Sequence, residues 1–147
     1  MRILIYTIDK GGIKTYTEYL ASAMKELGFS VLHSDKMDYH NFDIVNIHFD
    51  YSQFHPWGLG LIPILLRLKL TGKKVVVTIG TVPKKKEAYT RNKLFTFFKK
   101  ITLLISNQLI SFFSDKITVM VSEMRTTLIE DYHVNRKKVL VVLHGNY

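Results

Sequence analysis

The fold is decided by the opening stretch Ile3-Leu4-Ile5-Tyr6-Thr7-Ile8-Asp9-Lys10-Gly11-Gly12-Ile13, an apolar run that breaks at a double glycine and passes into a helical pattern. Beyond the break, Ile13, Tyr16, Leu20, Ala23, Met24 and Leu27 recur at helical spacing, and Gly28 stands where a helix would end. A strand, a glycine turn and a helix in this order predict one β-α unit. The same alternation continues through apolar runs at Ser30 to His33, Ile44 to Phe49, Val75 to Ile79, Ile117 to Val121 and Val139 to Leu143. Several runs are continuous rather than alternating, as in strands covered on both faces. Between them the pattern predicts a helix from about Pro63 through Ile64 to Leu70 and Gly72, apolar nearly all round. A third helix is predicted over Lys93 to Phe113, and a fourth behind Ser122 as N-cap, carrying Met124, Leu128, Ile129 and Tyr132. The expected fold is therefore α/β: a Rossmann-like, doubly wound parallel sheet with helices on both faces.

At 147 residues, 47% of them hydrophobic, the chain suits one domain, 1–147, with a core that needs no disulfide. The absence of cysteine removes zinc ribbons, iron-sulfur ligation and thiol chemistry, and suits a reducing compartment. Met1-Arg2 runs straight into the first strand, so no secretory leader is expected. His33, His40, His48 and His55 match no metal-ligand spacing and fall on different elements, so no metal is expected.

Charge narrows the partners. Lys plus Arg total 21 against 12 acidic residues, a net of +9, and such a surface seeks anions. From Lys84 to Lys100 there are seven basic residues and one acidic, among them Lys84, Lys85, Lys86, Arg91 and Lys93. This segment leads into a helix rich in phenylalanine, whose uncharged run from Ile101 to Phe113 has 13 residues, short of the ~18 to 20 that span a bilayer. Either the basic segment meets anionic headgroups while aromatic residues insert shallowly, or the helix is a core crossover beside a solvated loop. Nucleic acid is the weaker partner, because no recognition helix or stacking platform is visible.

Two positions carry candidate chemistry. The turn at Gly11, Gly12 and Ile13 leaves a strand and opens a helix, where free amides and the helix dipole favour a phosphate; the alternative is a plain tight turn. His48 and Asp50 close the third strand, and side chains at carboxyl ends of parallel strands face the binding crevice; the alternative for His48 is a strand-end histidine bonded to backbone.

Taken in order, these motifs resemble glycosyltransferase family 4. The double glycine followed by Tyr16-Thr17-Glu18-Tyr19-Leu20-Ala21 and by Leu27-Gly28-Phe29-Ser30-Val31 is similar to that family's opening, with Phe29 in place of its usual histidine. Asp43-Ile44-Val45-Asn46-Ile47-His48, Lys74 to Ile79, Ser114 to Glu123 and Val139 to Gly145 resemble its later strands. The resemblance implies the N-terminal, acceptor-side half of a GT-B enzyme, a retaining glycosyltransferase of hexosyltransferase type. Such an enzyme moves sugar from a nucleotide-sugar donor to a lipid-linked or cell-envelope glycan acceptor, as in polysaccharide biosynthesis, with no cofactor beyond that co-substrate. The partner it implies is a C-terminal Rossmann-like domain whose paired glutamates would lie after Tyr147, so the chain alone is expected to be inactive. It implies a cytoplasmic protein, peripheral on the inner face of the membrane. Gly11, Gly12 and Ile13 would face donor or phosphate, while His48, Asp50, Gly80, Thr81, Ser122 and Glu123 would line the acceptor cleft. Lys84, Lys85, Lys86, Arg91 and Lys93 would meet an anionic acceptor or membrane. Gly80 stands where the family usually has a histidine near the reacting centre, which leaves the catalytic residues unassigned and admits an alternative: a non-catalytic subunit that recruits a separate glycosyltransferase chain to the membrane.

Overall fold

In the computed structural model, which describes residues 1–8, 12–84 and 92–142, six parallel strands form one sheet in the order β2-β1-β3-β4-β5-β6. The strands are β1 (Arg2–Tyr6), β2 (Ser30–Ser34), β3 (Ile44–Phe49), β4 (Lys74–Ile79), β5 (Lys116–Val119) and β6 (Val139–Val141). The helices are α1 (Gly12–Glu26), α2 (Ile62–Leu70), α3 (Lys93–Phe113) and α4 (Ser122–Glu130), with a 3-10 turn at Leu59–Leu61. This is the Rossmann-like, doubly wound α/β arrangement expected from the alternation of elements.

The winding follows from crossover handedness. The step from β1 to β2 moves one way along the sheet, and every later step moves the other way. Right-handed crossovers therefore put α1 on one face and α2, α3 and α4 on the opposite face. The pleat separates the two sets of side chains. Ile3, Ile5 and Val31 meet Ala21 of α1, with Leu20 and Met24 packed alongside. Leu4, Val45, Ile47, Val75, Val77 and Ile117 join Leu65 and Leu68 of α2 and Leu103 and Ile110 of α3 in the larger core. With α1 the one helix on its face among the described residues, the strands there keep polar positions: Thr78 Oγ1 donates to Asn46 Oδ1 at 2.9 Å, and Thr118 Oγ1 lies 2.7 Å from Thr78 Oγ1.

The helix ends follow local chemistry. Both α1 and α2 stop at a glycine with positive φ, Gly28 and Gly72, and the next amide returns to the carbonyl five residues back, Phe29 to Met24 and Lys73 to Leu68. Asn92 opens α3 by accepting from the Leu94 amide (2.9 Å) and the Phe95 amide (3.3 Å), a cap the periodicity did not identify. At its far end, Lys138 Nζ donates to the carbonyls of Ser111 (2.6 Å) and Ser114 (2.8 Å), placing a cation on the negative pole of the helix.

Several boundaries and faces differ from expectation. β1 ends at Tyr6 and leaves Ile8 exposed, and β5 ends at Val119; β6 ends at Val141, and Leu143, expected to close it, lies outside the described residues. On α1, Ala23 faces solvent, as does Leu27 just past its end, while Thr17 and Ala21 take the buried stripe. The apolar α2 buries only Leu65 and Leu68, because a single layer of helix meets the sheet along one stripe. Ser122 does not cap α4: it is the first helical residue, Val121 holds the cap position in extended conformation, and no side chain caps that end. Tyr132 lies past α4 and is buried, its hydroxyl donating to the Pro83 carbonyl.

Candidate functional site

At the carboxyl edge of the sheet, the segment after β3 is folded down onto α3. Asp50 Oδ1 accepts from the Ser52 amide at 2.8 Å, which turns the chain as it leaves the strand. Tyr51 points inward, and its hydroxyl donates to Asn107 Oδ1 on α3 at 2.6 Å; Asn107 Nδ2 in turn donates to the Leu103 carbonyl at 2.8 Å. Burial pushes the Tyr51 phenol well above its ordinary value, so it stays a neutral donor. Six residues on, Ser106 Oγ donates to the Trp57 carbonyl at 2.9 Å, a second clamp between loop and helix.

Between the clamps, Trp57 has φ 45 and Gly58 φ 94. Only glycine fits at 58, since a Cβ there would sit 2.9 Å from Phe49 Cζ and 3.3 Å from Tyr51 Cδ1. The sharp turn sets the Trp57 ring against Phe95 of α3, edge to face at 5.4 Å between centroids, with the His55 ring 6.0 Å away.

This loop, the exit of β4 and the first half of α3 enclose a cleft of about 420 Å³. Asp50, Ser52, His55, Trp57, Thr81 and Lys99 supply its chemistry. Among the described lining residues, flat rings, hydroxyls, one carboxylate and one ammonium suit a ligand with a ring, several hydroxyl groups and a negative charge.

The residues singled out from sequence divide as follows. Asp50 and Thr81 line the cleft, and Gly80 lies beside it, its amide donating to the Phe49 carbonyl at 3.1 Å. His48, by contrast, is 2% exposed and belongs to the other face of the sheet, where its ring packs 5.5 Å from Tyr16 of α1. The strand alternates, so adjacent positions 48 and 49 cannot face the same layer. Ser122 and Glu123 begin α4. Glu123 is joined to Lys84 at 2.6 Å, and that hydrogen bond and charge hold its carboxyl below the usual value. Gly12 and Ile13 form the first two positions of α1, and Lys93 is the exposed first residue of α3. Gly11, Lys85, Lys86 and Arg91 lie outside the described residues.

His55, Trp57 and Lys99 were missed as cleft residues. For Lys99 a signal existed: Phe95, Lys99 and Leu103 fall at i, i+4 and i+8, so a contact at one implies the others on the same stripe.

A second stripe of α3 runs outward. Leu94, Phe98, Ile101 and Ile105, with Phe97 alongside, are all exposed, from 37% at Ile101 to 64% at Leu94. The inner stripe buries Leu103 and Ile110 together with the smaller or polar Thr96, Ser106, Asn107 and Ser111. Large apolar side chains of the outward stripe thus face away from the core, beside Lys93 and Lys100, an exposed patch of the kind found at interaction surfaces. Among the described residues, no helix is long and apolar enough to cross a membrane, and no group of three His, Asp or Glu is placed to hold a metal ion.

Compared with protein-family models the chain matches none, and a comparison with curated proteins gives no match either.

Proposed function

We propose that this chain is the acceptor-side domain of a retaining glycosyltransferase of the GT-B type, working at an anionic membrane surface on a lipid-linked glycan acceptor. The observation that carries the reading is the outward apolar stripe of α3 lying directly beside the ring-and-hydroxyl cleft, with lysines at their junction. Phe97, Phe98 and Ile101 enter the headgroup boundary, Lys93 and Lys100 pair with anionic lipid, and the cleft takes the polar head of an acceptor held in the same membrane. Lys99 neutralises an acceptor phosphate, while Trp57 and His55 stack against a sugar ring. A separate nucleotide-sugar-binding domain supplies the donor, and the chain alone transfers nothing. The order of glycine turn, strands and helices that resembles family 4 supports the same reading.

The test is co-sedimentation with vesicles of neutral lipid alone or with added anionic lipid. Anionic lipid should increase binding strongly. Replacing both Phe97 and Phe98 with Ser, or Lys93 and Lys100 with Gln, should each lower it by about tenfold or more, since each lysine near the surface contributes about 1 kcal/mol. Binding that ignores both lipid charge and these substitutions refutes the membrane reading.

Gly80, in place of the histidine expected from the resemblance, favours a second reading, a non-catalytic subunit that brings another glycosyltransferase chain to the membrane. Sugar transfer by this chain in combination with a donor-binding domain would exclude it.

A further inference from the structure

A second cleft, of about 560 Å³, opens between the carboxyl ends of β1 and β2 and the first turns of α1, on the far side of the switch between β1 and β3 from the membrane-facing site. Its walls carry Lys14, Glu18, His33, Ser34 and Asp35. The hydrogen bonds behind His33 fix its chemistry. Thr17 Oγ1 lies 2.8 Å from the Lys14 carbonyl, which can only accept, so the one hydroxyl proton of Thr17 is committed there. The same oxygen lies 2.9 Å from His33 Nε2 and must therefore receive a proton from it. In the neutral ring the proton is thus held at Nε2, and Nδ1 is the acceptor.

Ser34 Oγ accepts from the Lys36 amide at 2.9 Å, which leaves its own proton for another partner. Asp35 and Glu18 add carboxylates, and Lys14 lies 3.8 Å from Glu18, so its charge is already opposed. Among the described residues that line this cleft, acceptors exceed donors. A phosphate would meet two carboxylates; a ligand rich in hydroxyl groups would meet partners of the right sense.

We propose that this cleft binds a vicinal diol, with the Asp35 carboxylate and His33 Nδ1 accepting from its hydroxyl groups. The diol is either the ribose of a nucleoside or the edge of a pyranose ring, which share this chemistry. An acidic residue just past the second strand of an open α/β sheet has the placement from which such folds hold ribose hydroxyls. The inference does not depend on the membrane or acceptor assignment, because it uses none of the same residues.

The test is nitrogen-15 NMR of the His33 ring in the labelled chain, titrated with adenosine, with dideoxyadenosine and with methyl mannoside. Before any ligand is added, the neutral ring should be in the Nε2-protonated form. Thr17→Ser should preserve that form and Thr17→Val should lose it; an Nδ1-protonated ring in the unaltered protein overturns the argument. Adenosine or methyl mannoside should then shift Nδ1 in a saturable way, and whichever does so identifies the source of the diol. Dideoxyadenosine should bind more weakly than adenosine if ribose is that source. Asp35→Asn should weaken the productive ligand by about tenfold, as loss of a hydrogen bond to a charged group predicts. If neither ligand saturates, or if Asp35→Asn leaves the affinity unchanged, the site does not bind a diol.

Discussion

Gly58→Ala tests the geometry of the candidate cleft most directly. The added methyl meets two obstacles of different origin. Its φ of 94 lies in the left-handed region, which costs an L-residue about 1–2 kcal/mol. Its Cβ would also stand 2.9 Å from Phe49 Cζ, in a core where overpacking costs about 1–3 kcal/mol. The sum, about 2–5 kcal/mol, is a large part of the stability of an ordinary domain. Gly28→Ala separates the two contributions. Gly28 has φ 86 with nothing within 4 Å of the added atom, so that variant should lose the conformational part alone. Equilibrium urea unfolding followed by Trp fluorescence measures both, because the chain has a single Trp, residue 57, next to the perturbed position. Gly58→Ala should lose clearly more stability than Gly28→Ala and shift the native emission of Trp57. If the two lose equally, or if the emission is unmoved, the close packing of loop and strand described above is wrong, and the placement of Trp57 over α3 falls with it.

Two further outcomes are expected. Tyr51→Phe should cost about 1–3 kcal/mol in the same unfolding measurement, because it strips the buried Asn107 Oδ1 of its donor; adding Asn107→Leu should cost less than the two single changes together. Asp115 should contribute to acid unfolding. Burial pushes its carboxyl up, but the Val75 amide at 2.8 Å and Lys69 at 3.2 Å outweigh that and leave it below its ordinary value. A lowered folded value means stability that is full above the unfolded carboxylate value and lost as pH falls through the folded one. Asp115→Asn should therefore flatten the acid limb of a stability-against-pH curve and leave its slope above neutrality unchanged.

How far the sequence could be read depended on the range of the interaction involved. The order of strands and helices was legible because each rests on local periodicity. The glycine stops at Gly28 and Gly72 were legible because a positive φ excludes most other residues. α3 was predicted over its full observed span, Lys93–Phe113, because its pattern is long and strongly apolar. Its two apolar stripes were not separable, since Phe97 and Leu103 look alike until one of them is placed against a strand.

The site shows the same division. Asp50 and Thr81 could be nominated from their positions at strand ends. His48 carried the same signal, yet its side chain belongs to the opposite layer, because a strand turns alternate residues to alternate faces. Trp57, His55 and Lys99 meet only through the Tyr51–Asn107 and Trp57–Ser106 clamps, which join residues 56 and 49 positions apart in the chain. The sequence alone thus determined which segments are strands and helices and that the charge is basic and concentrated. Tertiary structure alone decided which faces are buried, that Phe97 and Phe98 of α3 point outward, and that the His33 ring meets the Thr17 hydroxyl. Backbone conformation and periodicity are short-range properties encoded by neighbours, whereas the partner of a side chain depends on distant segments brought together by the winding of the sheet.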